Sequence, residues 1–242
     1  MLTLYVIHHS PWSERARWAL LHHELEFEER EHVPLVGELA LRMRTPVKGK
    51  ASVPLLVDGG AAVQGSLAIG EHVDRLGKRD KLFPDGARAR IAALYEALED
   101  PLHAARERFT RDLMTDRDAQ IESLPPMLRA LPLASLSARI GTQFIIGKYN
   151  ARIGSVDDRI RAGLRAVREA LGGKPYVLER FSFADVVATS VVQAIAPVDA
   201  KFLDVPPATR RLWRHEKLVK EFPELVEWRD AVYAKHRPAE KP

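Results

Sequence analysis

Cysteine is absent from all 242 residues, which excludes disulfides, thiolate metal sites and a cysteine nucleophile. Any thiol chemistry must use a sulfur brought by a ligand. Aromatic residues are sparse at 7%, yet hydrophobic residues reach 46% against 29% charged. That balance supports a packed core and excludes a disordered chain. No run approaches the ~18 apolar residues of a membrane span, and the opening MLTLYVIHHSPW has no basic segment ahead of an apolar stretch. A cytoplasmic protein without membrane contact is expected. Neither sign of charge dominates, with 37 Lys and Arg against 33 Asp and Glu and a net charge of +4. Arg159, Arg161, Arg165 and Arg168 are clustered, which reads as a solvated helix face and not as a nucleic-acid surface.

What is present is a change of period along the chain. Leu2, Leu4 and Val6 alternate with Thr3, Tyr5 and Ile7 as a buried strand, and Ser10-Pro11 then specifies a helix start twice, by cap and by fixed φ. Trp12, Ala16, Ala19, Leu20 and His23 mark the buried side of a helix to about His23, with Glu14, Arg15, Arg17 and His22 mostly on other faces. Leu25 and Phe27 alternate with Glu26 and Glu28 as a half-buried strand. Ser52 to Val57 reads as a strand, Asp58-Gly59-Gly60 as a tight turn and Ala61 to Gln64 as the hairpin partner. Ser66 is placed to cap a helix carrying Leu67, Ile69, Val73 and Leu76.

Beyond a charged stretch from Gly77 to Gly86 the pattern is helical over Ala87–Asp100, Leu102–Thr115, Asp157–Leu171, Phe183–Ile195 and Glu224–His236. Ser182 and Asp185 have the form of a capping box, and Leu124 to Pro132, with three prolines, is the expected irregular segment. Histidines at 8, 9, 22, 23 and 32 do not suggest a metal, because adjacent ones point apart and no carboxylate has matching spacing.

In their order and spacing, Ser10-Pro11 with Arg15, Arg17, Trp18, Ala19 and Leu20, then Val53-Pro54, Ser66 with Ala68-Ile69, Leu82-Phe83-Pro84 and Ser182-Phe183-Ala184-Asp185 give the chain its likeness. It resembles the cytosolic glutathione transferase superfamily, serine type, over nearly its whole length. The resemblance implies an α/β plus all-α architecture: a thioredoxin-like glutathione-binding domain over 1–77, a linker over 78–86 and an all-helical domain over 87–242. It also implies a homodimer that conjugates glutathione, as co-substrate and with no further cofactor, to a small apolar electrophile.

Carried over residue by residue, the likeness makes Ser10 the hydroxyl that hydrogen-bonds the glutathione sulfur, with Ser13 as its rival. Lowering a thiol pKa from about 8.5 by about two units needs about 2.7 kcal/mol. A hydrogen bond to a charged group contributes about 1.5–3 kcal/mol and a helix N-terminus about 0.3–1, so the two suffice without a general base. Val53, before a Pro54 whose peptide bond the family keeps cis, would pair its backbone with the cysteinyl unit. Ser66 would meet the γ-glutamyl carboxylate. Gly65 stands where many relatives have Glu or Gln, so Gln64 is the substitute for the γ-glutamyl amine. Lys50, with Lys48 in reserve, would meet the glycyl carboxylate, and Trp12, Arg106, Phe109 and Leu113 would line the electrophile pocket. Two other readings stay open: a noncatalytic carrier or interaction protein, which Gly65 favours, and glutathione-dependent isomerisation or reduction at the same thiolate.

Overall fold

The computed structural model describes residues 1–32, 41–43, 45, 51–123 and 155–239. Lys48, Lys50 and the segment Leu124 to Pro132 lie outside the described residues. Strands β1 (Leu2–Val6), β2 (Phe27–Glu31), β3 (Leu55–Asp58) and β4 (Ala61–Gln64) form one sheet in the order β2-β1-β3-β4. β1 and β2 are parallel, and the other two pairs are antiparallel. Alternation along β1 sends Leu4 and Val6, with Leu56, to the face covered by Trp18 and Leu20 of helix α1 (Pro11–His22) and by Ile69 and Val73 of α2 (Ser66–Leu76). Tyr5 and Leu55 face the other way, onto Leu41 and Ala51.

Two expected boundaries in this half move. β3 begins at Leu55 and not at Ser52, because Pro54, which has no N–H for the ladder, follows Val53 through a cis peptide bond. The cap of α2 is Gly65, at φ 90 and ψ 141, and Ser66 is the first helical residue. A third expectation fails on burial. Glu14, Arg15 and Arg17 are 1%, 0% and 3% exposed, because α1 is covered on its outer side by a helix of the second half, α6 (Phe183–Gln193). β2 is more exposed than expected and ends in charged residues, as suits an edge strand.

The second half is helical: α3 (Arg88–Leu113), α4 (Arg117–Glu122), α5 (Val156–Leu171), α6, α7 (Pro207–Trp213), α8 (Glu216–Glu221) and α9 (Pro223–His236). α3 runs unbroken through Pro101, where two helices were expected. The proline ring seats against Gly163 of α5, where an added Cβ would lie 2.4 Å from Pro101 Cβ, so close α3–α5 packing offsets the lost backbone bond. α6 is buried on every side, and Asp185 accepts from the Ser182 N–H at 2.9 Å and the Val177 N–H at 2.8 Å. The arginine cluster of α5 is not merely solvated. Arg159 meets Asp100 at 2.7 Å, Arg161 meets Glu221 at 2.8 Å and Arg168 meets Glu224 at 2.6 Å.

The segment between the halves is pinned despite its charge. Leu82 is fully buried, its N–H donates to Asp74 Oδ1 at 2.6 Å and its carbonyl accepts from the Phe183 N–H at 2.8 Å. Asp74 also lies 3.0 Å from His23 Nε2 at the end of α1.

Candidate functional site

Strand register brings separate pieces of sequence to one edge. Tyr5 pairs with Leu55, and Leu55 with Gln64, so the end of β1, the start of β3 and the end of β4 share a row. Ser10 follows the first, Val53-Pro54 precedes the second and Gly65-Ser66 follows the third. The Gly65 N–H donates to the Pro54 carbonyl at 3.0 Å and ties two of these pieces together.

The two candidate serines differ. Ser10 is the half-buried N-cap of α1, with φ −70 and ψ 129, and its side chain accepts no capping bond from the helix. Ser13 is fully buried and its Oγ accepts from the Ile7 N–H at 3.2 Å, stapling the loop that joins β1 to α1. Gln64 is exposed and its Oε1 accepts from the Ser52 N–H at 3.0 Å.

Charges around the start of α1 are neutralised in place. Glu14 accepts from Arg17 at 2.6 Å and from Arg237 at 2.8 Å, and Arg237 also donates to the Phe202 carbonyl at 3.3 Å. Arg17 grips Glu29 with two bonds of 2.7 and 2.8 Å. Burial alone would raise the Glu29 carboxyl, but its bonds from Arg17 and His8 hold it down at about 2. His9 is pushed down to about 4 by burial and by neighbouring His8, and its ring meets Trp213 edge-on at 5.7 Å.

Helix α3 supplies the facing wall. Trp12 Nε1 donates to Glu99 Oε2 at 2.8 Å, its ring lies 5.0 Å from His103 and the Arg106 guanidinium sits 5.2 Å from its centroid. Phe109 stands edge-on to Trp213 at 5.9 Å. Trp12, Arg106 and Phe109 are thus brought toward the Ser10 edge. Leu113 is buried with Ala119 and Ala208 in a small cluster against which Phe109 also packs. Sequence reasoning missed Tyr95, Glu99 and His103, although they continue the stripe of Arg106 backward at helical spacing. Arg15 joins the wall to α1, donating to Glu99 Oε1 at 2.6 Å and Ser190 Oγ at 2.9 Å.

Residues 4–79 match the family described as Glutathione S-transferase, N-terminal domain. The first part of the chain is thus similar to glutathione S-transferase N-terminal domains. Over the described residues the fold is that of the glutathione transferases, a thioredoxin-like first part followed by a helical second. A glutathione transferase of Phanerochaete chrysosporium aligns at 18% identity and TM-score 0.58, covering 99% of this chain and 98% of that one. A beta-etherase of Sphingobium aligns at 17% identity and TM-score 0.60, covering 96% and 95%. A glutathione S-transferase of Methylobacterium radiotolerans in complex with glutathione sulfonate aligns at 18% and 0.55, covering 100% and 96%. No curated protein matches the sequence. Among the described residues no group of three or more His, Cys, Asp or Glu side chains could hold a metal ion, and no helix is long and apolar enough to cross a membrane.

Proposed function

We propose that this protein is a glutathione transferase of the serine type, with the Ser10 hydroxyl donating a hydrogen bond to the thiolate sulfur of bound glutathione. The observation that carries the reading is the shared sheet edge: a helix start with an uncapped serine, a cis Val53-Pro54 edge and the start of α2 at Ser66 converge there. Ser13 is the weaker candidate because its oxygen is bound to the Ile7 N–H inside the protein.

Ser10 keeps its proton throughout, and the thiol proton passes to solvent as the sulfur ionises. The thiolate electron pair forms the new bond to an electrophilic carbon, and the leaving group departs with the pair of the bond that breaks. Glu14 is no general base, since two arginines hold both its oxygens. The electrophile lies against Trp12, Arg106 and Phe109. Proximity then supplies much of the rate. The reading includes a homodimer acting in the cytoplasm.

The rival is a noncatalytic carrier of the same fold. It is favoured by Gly65, which offers no side chain to the γ-glutamyl amine, and by Gln64, whose oxygen already accepts from Ser52. Ultraviolet difference titration of bound glutathione separates the two. A thiol pKa about two units below its ordinary value near 8.5, restored in Ser10→Ala and retained in Ser13→Ala, is the expected result. A thiol of ordinary pKa in the unmodified complex overturns the mechanism, and absence of turnover with an apolar aryl halide supports the carrier.

A further inference from the structure

Gly65 leaves the γ-glutamyl end of glutathione short of one side chain, and the second half of the molecule supplies another group at the same place. Tyr95 of α3 is half-buried and its hydroxyl lies 3.3 Å from Ser66 Oγ. Ser66 begins α2, whose first internal bond runs from the Ile69 N–H to the Gly65 carbonyl at 3.0 Å. The N–H groups of Ser66, Leu67 and Ala68 therefore have no acceptor within the helix, and the helix end favours an anion.

A second observation points to a ligand. The Arg15 guanidinium, fully buried, lies 4.9 Å over the Tyr95 ring, and its Nη2 has no hydrogen-bond partner among the described residues. Its other nitrogens are bound to Ser190 and Glu99. A buried guanidinium nitrogen left without an acceptor is costly unless an anion completes its shell. Glu99 offsets part of the arginine charge, so the group acts as a directed donor more than as a free cation. Two hydroxyls and three backbone N–H groups make a donor-rich corner, with this arginine stacked over the Tyr95 ring and its charge shared with Glu99.

Resting on the reading given under Proposed function, we infer that Tyr95, braced by Arg15, is a specificity-determining residue that donates its hydroxyl to the α-carboxylate of the γ-glutamyl unit. Ser66 and Tyr95 hold each other until the carboxylate arrives and both hydroxyls turn to it. Carboxylate recognition thereby depends on contact between the two halves of the molecule.

Calorimetric titration tests this with two ligands, glutathione and γ-aminobutyryl-cysteinyl-glycine, which is glutathione without that carboxylate. Tyr95→Phe keeps the ring under Arg15 and removes the oxygen. Its Kd for glutathione is expected to rise about 10- to 100-fold, with the Kd for the decarboxylated tripeptide unchanged. An equal loss for both ligands, or no loss for either, overturns the assignment. The unmodified chain binding neither tripeptide overturns the glutathione reading itself and this assignment with it. Turnover gives a second readout: KM for glutathione rises in Tyr95→Phe with kcat kept, whereas a general loosening of the site lowers kcat as well.

Discussion

At the scale of single residues, backbone conformation and burial make sharper demands than contact. A methyl group added at Gly65 would meet nothing within 4 Å, yet the φ of +90 there belongs to a region that side chains avoid. Gly65→Ala should therefore cost about 1–3 kcal/mol in urea unfolding although nothing clashes. Gly60 of the same hairpin has the same open space and no positive φ, so Gly60→Ala should change stability by less than about 0.5 kcal/mol. His9 and His236 are both pushed down to about 4, mainly by burial, from an ordinary value of 6.5. Between those values the unfolded chain binds more protons than the folded one, so stability is full above pH 6.5 and falls as pH drops toward 4. The urea midpoint should decline over that window, and His9→Phe should flatten part of the decline. Asp185, raised by burial from 3.8 to about 6, opposes part of this slope, and Glu29, held at about 2 from 4.5, adds to it only at the acid end.

At the scale of elements, the α3–α5 pair gives a direct test of why a proline sits inside a long helix. Gly163→Ala drives a methyl group into the Pro101 ring and should destabilise by about 1–3 kcal/mol. In a Pro101→Gly background the same change should lose most of its effect, because both the Cβ and the Cγ it meets are gone. Additivity in the double-mutant cycle would sink this explanation. That continuity was illegible in the sequence for a plain reason. Local rules stop a helix at Pro101, and the glycine that accommodates it lies in another helix. By contrast β1, the Ser10-Pro11 helix start, the Asp58-Gly59-Gly60 turn and the Ser182–Asp185 capping box were legible, since each is specified by neighbours in the chain. The cis bond before Pro54 was expected from the family resemblance alone, since neighbouring residues do not specify it. Tyr95 and Glu99 were not, because their partners at Ser66, Trp12 and Arg15 lie 29, 87 and 84 residues away. The burial of Glu14, Arg15 and Arg17 was misjudged on the same ground: a helix periodicity describes one covered face, and α1 is covered on two.

At the scale of the whole molecule, the start of α1 is held by the far end of the described chain. Glu14 and Arg237 are both almost wholly buried, with side-chain exposures of 2% and 0%, and Arg17 shares the carboxylate. Removing one member leaves a buried charge without its counterpart, so Glu14→Gln should lower stability by about 3–5 kcal/mol. Replacing the pair together, as Glu14→Met with Arg237→Met, should recover much of that loss, and chemical denaturation of the single and double variants checks both expectations.

The 223 residues separating Glu14 from Arg237 also set a timetable for biosynthesis. At ribosomal rates of about 5–20 residues per second, the opening turn of the first helix waits roughly 10 to 45 s for its last guanidinium. A nascent chain can assemble its sheet during that interval, but the ionic lock beneath the serine stays open until the C-terminal arginine leaves the exit tunnel.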